Sequence, residues 1–426
     1  MKTKLSSRFW LALVLCSLTG QVAWVVENMY LNVFIYKMFA ASAADISLMV
    51  SASAVAATLT TVFIGALSDK VGKRKIFICA GYILWGISIF CFAFIRTDIL
   101  GAMFPMVASA ATLGISLTII FDCLMTFFGS SANDAAFNAW LTDSTDSTNR
   151  GAAEGINSMM PLVSILVVFG GFMAFDLDKQ QSWTSIFMII GAVVLVIGIA
   201  AIFLVEDAPC EKSTDNYLAN VIYGFRPSTV KAHKELYITL ATFVVFNIAI
   251  QIYMPYLIIY YEVSLALANY VLIMAPAIIL AAVFTAFWGK KYDSKGFGYA
   301  ATVALIGLAA GFALLYIFRN TAIVFIGSLL MMCGYLSGMA VFGAKIRDNT
   351  PEGYAGRLQG VRIFSQVLVP GVIGPFIGKT ILANADVIVN SDGTTSFVPN
   401  ANIFLGALIA LIPVIIIVLG SKKKKA

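Results

Sequence analysis

Apolar runs long enough to cross a membrane recur along almost the whole chain. A hydrocarbon core needs about 20 apolar residues in a helix, and runs of that length follow one another from near residue 9 to near residue 420. Of the 426 residues, 60% are hydrophobic and 12% are charged, whereas a soluble chain is about a quarter charged. The sequence therefore predicts an integral membrane protein built as a polytopic bundle of helices.

Charged residues and Gly or Pro breaks divide this apolar sequence into twelve predicted helices. They cover residues 9–37, 46–67, 76–95, 113–141, 156–176 and 184–205, then 237–261, 265–288, 299–318, 321–344, 363–383 and 402–420. Residues 98–141 are too long for one straight helix at about 1.5 Å per residue. They predict either a bent helix or an additional interfacial piece.

One polar insert sets the predicted domain organisation. Glu206 to Glu235 reads EDAPCEKSTDNYLANVIYGFRPSTVKAHKE and separates six helices from six. We predict an N-terminal six-helix half over 1–205, a cytoplasmic central loop over 206–236, and a C-terminal six-helix half with a basic tail over 237–426.

Basic residues are distributed unequally between the two sets of loops. With both ends of the chain on one side, most Lys and Arg residues fall there, and the other side receives Lys37, Arg96, Lys179, Arg319 and Lys379. Because basic loops face the cytoplasm, we predict cytoplasmic termini and a multi-pass protein of the cell membrane. Membrane orientation accounts for the net charge of +6 without a nucleic-acid partner, and the tail SKKKKA is an anchor against anionic lipid or a binding site.

A short motif occurs at the same place in each half. GALSDKVGKRK, from Gly65, follows the second helix, and GKKYDSKG, from Gly289, follows the eighth. Both read Gly, three residues, Asp, two residues, Gly. A matched pair at equivalent positions indicates an internal repeat, which is typical of two-halved transporters.

The first copy resembles the cytoplasmic signature of the major facilitator superfamily, and with the helix count the resemblance covers the whole chain. The matching residues are Gly65, Asp69, Lys70, Gly72, Lys73, Arg74 and Lys75. The resemblance implies an all-α membrane fold of twelve transmembrane helices in two pseudo-symmetric six-helix halves, which rock about a central cavity to move a small solute. It also implies that Asp69 latches the halves together; the alternative is a charged loop that only sets orientation.

A second pair of loops supports the duplication. TDSTDSTNRGAAEG contains Asp143 and Arg150, and RDNTPEGYAGRLQG contains Asp348 and Arg357. Each Arg can bond exposed carbonyls of the preceding helix or pair with the Asp of its loop, so structural stapling and gating both remain open. The predicted cytoplasmic gate consists of Gly65, Asp69, Lys70, Gly72, Arg74, Asp143, Arg150, Gly289, Asp293 and Arg357.

Ionisable groups within membrane spans are costly and mark functional sites. The candidate acids are Glu27 in the first helix and Asp122 and Asp134 in the fourth. No basic residue lies beside them, so each must be protonated, bound to a cation, or facing water. We predict that Glu27 and Asp134 couple transport to a cation, and we place Asp122 at the mouth of an outer vestibule. Alternatively, Asp134 is structural and is satisfied on its own helix by Ser131, Asn133 or Asn138.

The surroundings of Asp134 resemble the glycoside-pentoside-hexuronide:cation symporter family, to which the melibiose permeases belong. An embedded Asp, a following aromatic residue and a loop Arg are matched by Asp134, by Phe137 or Trp140, and by Arg150. The resemblance implies symport of a sugar or glycoside, with Asp134 contacting the cation or the sugar. Sodium-coupled members have further acids on helix two, and Ile46 to Gly65 contains none. A proton is therefore favoured over sodium, and uncoupled transport remains open.

Polar and aromatic groups within the spans are the candidates for binding the solute. Aromatic rings stack on the apolar faces of a sugar, while amides and hydroxyls bond its hydroxyl groups. The candidates are Gln21, Trp24, Asn138, Asn247, Gln251, Tyr253, Tyr335 and Gln366. Each has an alternative role in interhelical hydrogen bonds, worth about 0.6 kcal/mol apiece.

The sequence gives no indication of an enzyme. Neither glycine motif has the order that cradles phosphate, and the six cysteines show no paired or metal-binding spacing. The expected partners are a small solute, the lipid bilayer and a coupling cation, H+ in preference to Na+, with no other cofactor and no metal; we expect a monomer. The alternative functions are export of amphiphilic compounds or drugs by proton antiport, and a receptor or scaffold that uses a transporter fold.

Overall fold

The computed structural model describes residues 5–107, 109–146, 148–207, 222–267, 269–351, 355–390 and 393–423. Contacts between residues divide the chain into two compact units. The first unit contains Met1–Ala41 and Ala52–Tyr217, and the second contains Ser42–Ser51 and Leu218–Ala426.

Six long helices make up most of the first 207 residues. We label them α1 (Ser7–Phe39), α2 (Ala43–Val71), α3 (Arg74–Phe92), α4 (Ala110–Asp143), α5 (Arg150–Phe172) and α6 (Gln180–Leu204). A short helix, Thr97–Met103, precedes α4, and α4 itself contains a π-helical segment, Ser130–Phe137. Residues 98–141 thus contain an additional helical piece, one of the two predicted alternatives, followed by a long helix with a π-helical segment.

The described residues after the polar insert contain five long apolar helices, and the longest, Val271–Ile317, is divided by a kink at Gly296 into two, which gives six membrane helices. They are α7 (Lys234–Ser264), α8 (271–295), α9 (297–317), α10 (Thr321–Asn349), α11 (355–381) and α12 (Asn402–Lys423). A short helix, Pro227–Ala232, precedes α7. Between α11 and α12 lies an antiparallel hairpin of β1 (Val387–Val389) and β2 (Thr395–Phe397), with Ile388 opposite Ser396. The predicted all-α membrane fold of twelve helices is confirmed, and the small hairpin was not predicted.

Side-chain caps begin several of these helices. Ser6 accepts from the backbone N–H of Phe9 at the start of α1, over 3.1 Å. Ser109 accepts from Thr112 at 3.2 Å at the start of α4. Such caps satisfy backbone donors that have no partner inside the helix, and they therefore define where a span begins.

Glycine makes the turns of the repeated motif possible. Gly72 has φ 69° between α2 and α3, and Gly296 has φ 75° between α8 and α9. This left-handed conformation is strained for other residues. The prediction of a loop over about 289–298 is wrong, because Gly289 and Asp293 lie within helix and the turn is confined to Gly296. The intervening Lys, Tyr and Ser residues can continue a helix, so α8 runs on to the glycine.

Small residues bring α3 and α6 into close contact in the first unit. A Cβ atom at Gly86 would lie 2.6 Å from the backbone nitrogen of Leu195 and 2.9 Å from the carbonyl oxygen of Gly191. Such approach of two backbones is the usual packing of helices in lipid, where small residues replace a hydrophobic driving force.

Ion pairs secure the loop between α5 and α6. Lys37, near the end of α1, lies 2.9 Å from Asp178, and Lys179 lies 3.0 Å from Asp176. The hydrogen bond from Lys179 is the main reason that the pKa of Asp176 is lowered. Both partners of the Lys179–Asp176 pair are exposed, so this pair contributes little to stability, whereas the Lys37 side chain is 8% exposed.

Candidate functional site

Both predicted coupling acids lie in π-helical segments of the first unit. Glu27 belongs to the segment Val26–Tyr30 in α1, and Asp134 belongs to Ser130–Phe137 in α4. π-Helical turns are rare and occur often at functional sites. The wider turn changes the direction of the side chains that follow, so these residues leave the ordinary helical register.

Glu27 is buried, with 6% of its surface exposed, and its partners are hydroxyl groups. Its Oε1 atom accepts a hydrogen bond from Ser53 Oγ on α2 at 2.7 Å and from Thr126 Oγ1 on α4 at 2.8 Å. The two hydroxyl oxygens are themselves 2.8 Å apart. Three helices therefore meet in a closed triangle of oxygen atoms.

Asp122 is the second acid of this cluster. It is 2% exposed, it is hydrogen-bonded to Ser53, and the charge of Glu27 acts on it. It precedes Thr126 by four residues, which places both side chains on the same face of α4. The prediction that Asp122 lies at the mouth of an outer vestibule is wrong, because packing of α1 and α2 against that face covers it.

The two buried acids lack positive partners in the part of the chain that the structure describes. None of its ion pairs involves Glu27, Asp122 or Asp134, and no group of three or more His, Cys, Asp or Glu residues there forms a metal site. In addition, Glu27 Oε2 and Asp122 Oδ1 have no hydrogen-bond partner. Unpaired buried oxygens of this kind are costly when the acid is ionised.

Asp134 lies in a more polar setting and is partly exposed. Its Oδ2 accepts a hydrogen bond from Ser130 Oγ at 3.0 Å, while Asn138 Nδ2 donates to the backbone oxygen of Asp134 at 3.1 Å. Ser131 donates instead to the carbonyl of Phe127 at 2.6 Å. The charge of Asp134 also acts on Glu27. The structure thus brings the two predicted coupling acids into one electrostatic neighbourhood.

A tyrosine connects the surroundings of Asp134 to two other helices. The hydroxyl oxygen of Tyr82, on α3, lies 2.7 Å from the carbonyl oxygen of Cys16 and 3.1 Å from Oδ1 of Asn133. Sequence reasoning missed Tyr82, Ser53 and Thr126. Hydroxyl residues give a weak signal, because most of them bond a carbonyl on their own helix.

The predicted solute residues of the first unit lie near the acids along the chain. Gln21 and Trp24 are half-buried on α1, and Asn138 is exposed on α4. The Trp24 ring packs on that of Trp85 with centroids 4.9 Å apart. Its indole N–H is buried and has no partner among the described residues, so it can bond a solute hydroxyl only when the packing around it opens.

The predicted solute residues of the second unit have mixed environments. Asn247 is buried and donates one of its two amide hydrogens to the carbonyl of Phe243, over 2.9 Å. Tyr253 is fully buried and its hydroxyl has no partner among the described residues. Tyr335, Gln251 and Gln366 are half-buried. Gln366 lies in a π-helical segment of α11, Phe364–Leu368.

Arg74 organises the predicted gate residues of the first unit. Its guanidinium contacts Asp69 at 2.5 Å, Asp143 at 3.0 Å and Ser68 Oγ at 2.6 Å. Arg150 instead donates to the carbonyl oxygens of Thr142 at 3.2 Å and Thr145 at 3.0 Å. Of the two roles left open for Arg150, the structure shows the carbonyl bonds, and Asp143 pairs with Arg74. Lys70 is exposed, and Gly65 is within α2.

The equivalent region of the second unit is arranged differently. The Tyr292 hydroxyl donates to the carboxylate of Asp348, where the first unit has an Arg–Asp pair. Gly289 and Asp293 lie on α8, and the side chain of Arg357 is outside the described residues. The sequence repeat is therefore retained in the backbone turn, while the polar contacts differ.

Comparisons with known proteins agree with this architecture. The family model described as Major Facilitator Superfamily matches residues 9–375. Among solved structures, the nucleoside transporter NupG is 12% identical, with a TM-score of 0.68 over 96% of this chain and 98% of that one. The xylose transporter XylE from E. coli is 13% identical, with a TM-score of 0.65 over 96% and 97%.

A bacterial homologue of the human lysosomal transporter Spinster is 15% identical, with a TM-score of 0.65 over 98% of this chain and 95% of that one. At such identities the similarity concerns the fold. None of the curated protein sequences compared with the chain matches it.

Proposed function

Because the chain belongs to the major facilitator superfamily, we propose that it is a secondary transporter that couples the uptake of a small sugar-bearing solute to a cation. The coupling ion is a proton in preference to sodium, and transport proceeds by alternating access. The protein is a monomer of the cell membrane with both termini in the cytoplasm. Transport of a solute follows from the family itself, whereas the solute class, the cation and the direction are the proposal.

The burial of Glu27 is the observation that carries the coupling. A carboxylate that is 6% exposed and has only hydroxyl donors needs a proton or a cation to offset its charge. A group that changes charge when it meets water on one side of the membrane, and is neutral when buried, links ion movement to conformation. Asp134, whose charge acts on Glu27, can pass this change to a solute bound nearby.

A sugar ring suits the groups around these acids. Trp24 offers an aromatic face and an unpartnered indole N–H, and Gln21 lies three residues before it on α1. Aromatic faces stack on sugars, and amides bond their hydroxyls. Two of the similar solved structures are named as a nucleoside transporter and a xylose transporter, and both kinds of solute contain a sugar ring. This common chemistry supports the proposal.

Uptake into proteoliposomes tests the proposal. The purified chain is reconstituted, and the accumulation of radiolabelled xylose, uridine and melibiose is measured under an inward proton gradient or an inward sodium gradient. We expect the proton gradient to drive accumulation of at least one of these solutes. Glu27→Gln abolishes the accumulation, because a carboxamide cannot release a proton, while exchange of labelled for unlabelled solute continues.

Two controls define what would contradict the proposal. Asp98→Asn alters an exposed acid in the short helix Thr97–Met103 and should leave uptake unchanged. Full accumulation by Glu27→Gln would remove this residue from the coupling. The proposal would be replaced by export through antiport if none of the three solutes accumulates and an amphiphilic cation such as tetraphenylphosphonium is expelled in a proton-dependent way.

A further inference from the structure

Ser53 is the one described side chain that is hydrogen-bonded to both buried acids of the first unit. It lies 2.7 Å from Glu27 Oε1 and is also hydrogen-bonded to Asp122. Thr126 contacts Ser53 and Glu27 at 2.8 Å each. Four oxygen–oxygen contacts thus join two carboxyl groups through two hydroxyls.

The number of hydrogen atoms available to these contacts is informative. The two hydroxyls supply two hydrogens, so at least one further hydrogen is needed to satisfy three of the four contacts. If Asp122 holds a proton, it donates to Ser53, while Ser53 and Thr126 both donate to Glu27. If Glu27 holds the proton, it donates to Ser53, Ser53 donates to Asp122, and Thr126 still donates to Glu27. The same number of bonds forms whichever acid is protonated.

The surroundings favour this proton over a hydrated charge. Glu27 lines a cavity of about 10 Å³ whose other walls are apolar and include Ile89, Phe92 and Met125. A buried water needs roughly this volume but also two to four polar partners, and here Glu27 is the only polar side chain. An ionised Glu27 would therefore lie beside an apolar space that offers its charge no polar partner.

We propose that Glu27 and Asp122 act as one proton-carrying unit in which Ser53 passes a single proton between the two acids. This inference rests on the proposed cation coupling and identifies the group that carries the proton. In the transfer, the Asp122 O–H bond breaks and a Ser53 O–H bond forms. The original Ser53 hydrogen moves to Glu27 Oε1. One proton is displaced, the hydroxyl is regenerated, and no other reactant is required.

The titratable groups that act on the two acids are few. In the described residues, the charge of Asp134 acts on Glu27, and Cys123 senses both acids; both groups belong to α4. The contacts from α2, α3 and α6 are hydroxyl, aromatic and aliphatic side chains. The shared proton therefore responds mainly to these four groups.

Infrared spectroscopy of the full-length protein in detergent tests the proposal without any solute. The carbonyl stretching band of a protonated carboxyl group is recorded at neutral pH in sodium-free buffer, and its assignment is checked by exchange into D2O. We expect the wild type to show the band. It should persist at a shifted wavenumber in Glu27→Gln and in Asp122→Asn, because the remaining acid keeps the proton, and it should be lost in the double variant.

Variants of Ser53, which connects the two acids, and of Asp134 complete the experiment. Ser53→Ala should shift the band, because the carboxyl loses its hydrogen-bond partner, whereas Ser53→Thr should keep the wild-type position. Asp134→Asn should retain the band at a shifted wavenumber, because the charge of Asp134 acts on Glu27. Unfolding temperatures and size-exclusion profiles establish that each variant is folded.

Three results would overturn the shared proton. Complete loss of the band in one single variant would mean that one acid alone is protonated. Halving of the band in each single variant would mean two separate protons. Removal of the band by added NaCl, but not by choline chloride, would make the cluster a sodium site. If the band behaves as expected but none of the solutes is accumulated, the proton unit stands and the proposed transport function fails.

Discussion

Glu27 illustrates how hydroxyl partners can accommodate a carboxyl group buried in a membrane bundle. Its burial is compensated by Ser53 and Thr126 rather than by a basic residue, and hydroxyl groups are suited to this because each can donate or accept. A lysine or arginine partner would hold the carboxylate permanently ionised, whereas hydroxyls tolerate both protonation states. The choice of partner therefore favours a group that must change its charge.

At the opposite extreme, Arg74 is a buried charge with fixed partners. It is 6% exposed and contacts Asp69, Asp143 and Ser68 through separate nitrogen atoms. A planar guanidinium can serve three such partners, and an ammonium group cannot reproduce that geometry. This cluster joins the first turn of α3 to the ends of α2 and α4.

We predict that Arg74→Lys lowers the free energy of unfolding by about 1–3 kcal/mol, because hydrogen bonds to charged groups are lost. Thermal unfolding in detergent, followed by the fluorescence of a thiol-reactive dye, measures the change. Lys73→Ala removes an exposed neighbouring charge and should shift stability by less than about 0.5 kcal/mol. Equal effects of the two variants would show that net charge, rather than the Arg74 contacts, stabilises this end of the helices.

At the scale of elements, two kinds of irregularity shape the helices. π-Helical segments carry Glu27, Asp134 and Gln366, and left-handed glycines end the second helix of each sequence repeat. The first kind redirects side chains, whereas the second reverses the chain within a single residue. Regular helices would supply neither effect, and the departures from ideal geometry occur at candidate functional residues and at a connection between helices.

We predict that Gly296→Ala destabilises the protein by about 1 kcal/mol, because a Cβ atom is strained at positive φ. Gly289→Ala, at the first glycine of the same motif, is the matched control. Gly289 lies within helix, and a Cβ atom there would meet nothing within 4 Å. The control should be neutral or stabilising by roughly 0.5–1 kcal/mol. Thermal unfolding of the two variants side by side makes the comparison, and a loss of stability in Gly289→Ala alone would refute this account of the turn.

At the scale of the whole molecule, the two sequence repeats share a glycine turn but differ in their polar contacts. Both sequence repeats end their second helix in a positive-φ glycine, but the Arg74–Asp143 pair of the first unit has Tyr292–Asp348 as its counterpart. The buried acids Glu27 and Asp122 occur in the first unit. Backbone geometry is thus shared, while the proposed coupling chemistry is concentrated in one unit.

Orientation in the membrane is a property of the whole chain, and it gives a further prediction. Basic residues favour the loops on the side of both termini, so that side should be cytoplasmic. Green fluorescent protein fused after residue 426 should fluoresce, and alkaline phosphatase inserted between β1 and β2 should be active. Phosphatase inserted into the central loop serves as the inactive control. Active phosphatase there would reverse the predicted orientation.

The sequence by itself determined the number of membrane helices, the internal repeat and the rare acids within the spans. These properties follow from local composition, because every span must be apolar for about 20 residues and must satisfy its backbone as a helix. Glu27 and Asp134 stood out for the same reason: a charge in such a segment is conspicuous wherever the helix packs.

Only the tertiary structure decided which side chains contact one another. The hydroxyls that bond Glu27 are 26 and 99 residues away in sequence, and Asp143 pairs with Arg74 at a separation of 69 residues rather than with the nearby Arg150. Burial of Asp122 likewise depends on which face of α4 meets its neighbours. Pairings of this kind arise from the rotation and packing of whole helices, which no single span specifies. They created the proposed proton unit by joining two conspicuous acids to Ser53 and Thr126, which look ordinary in isolation.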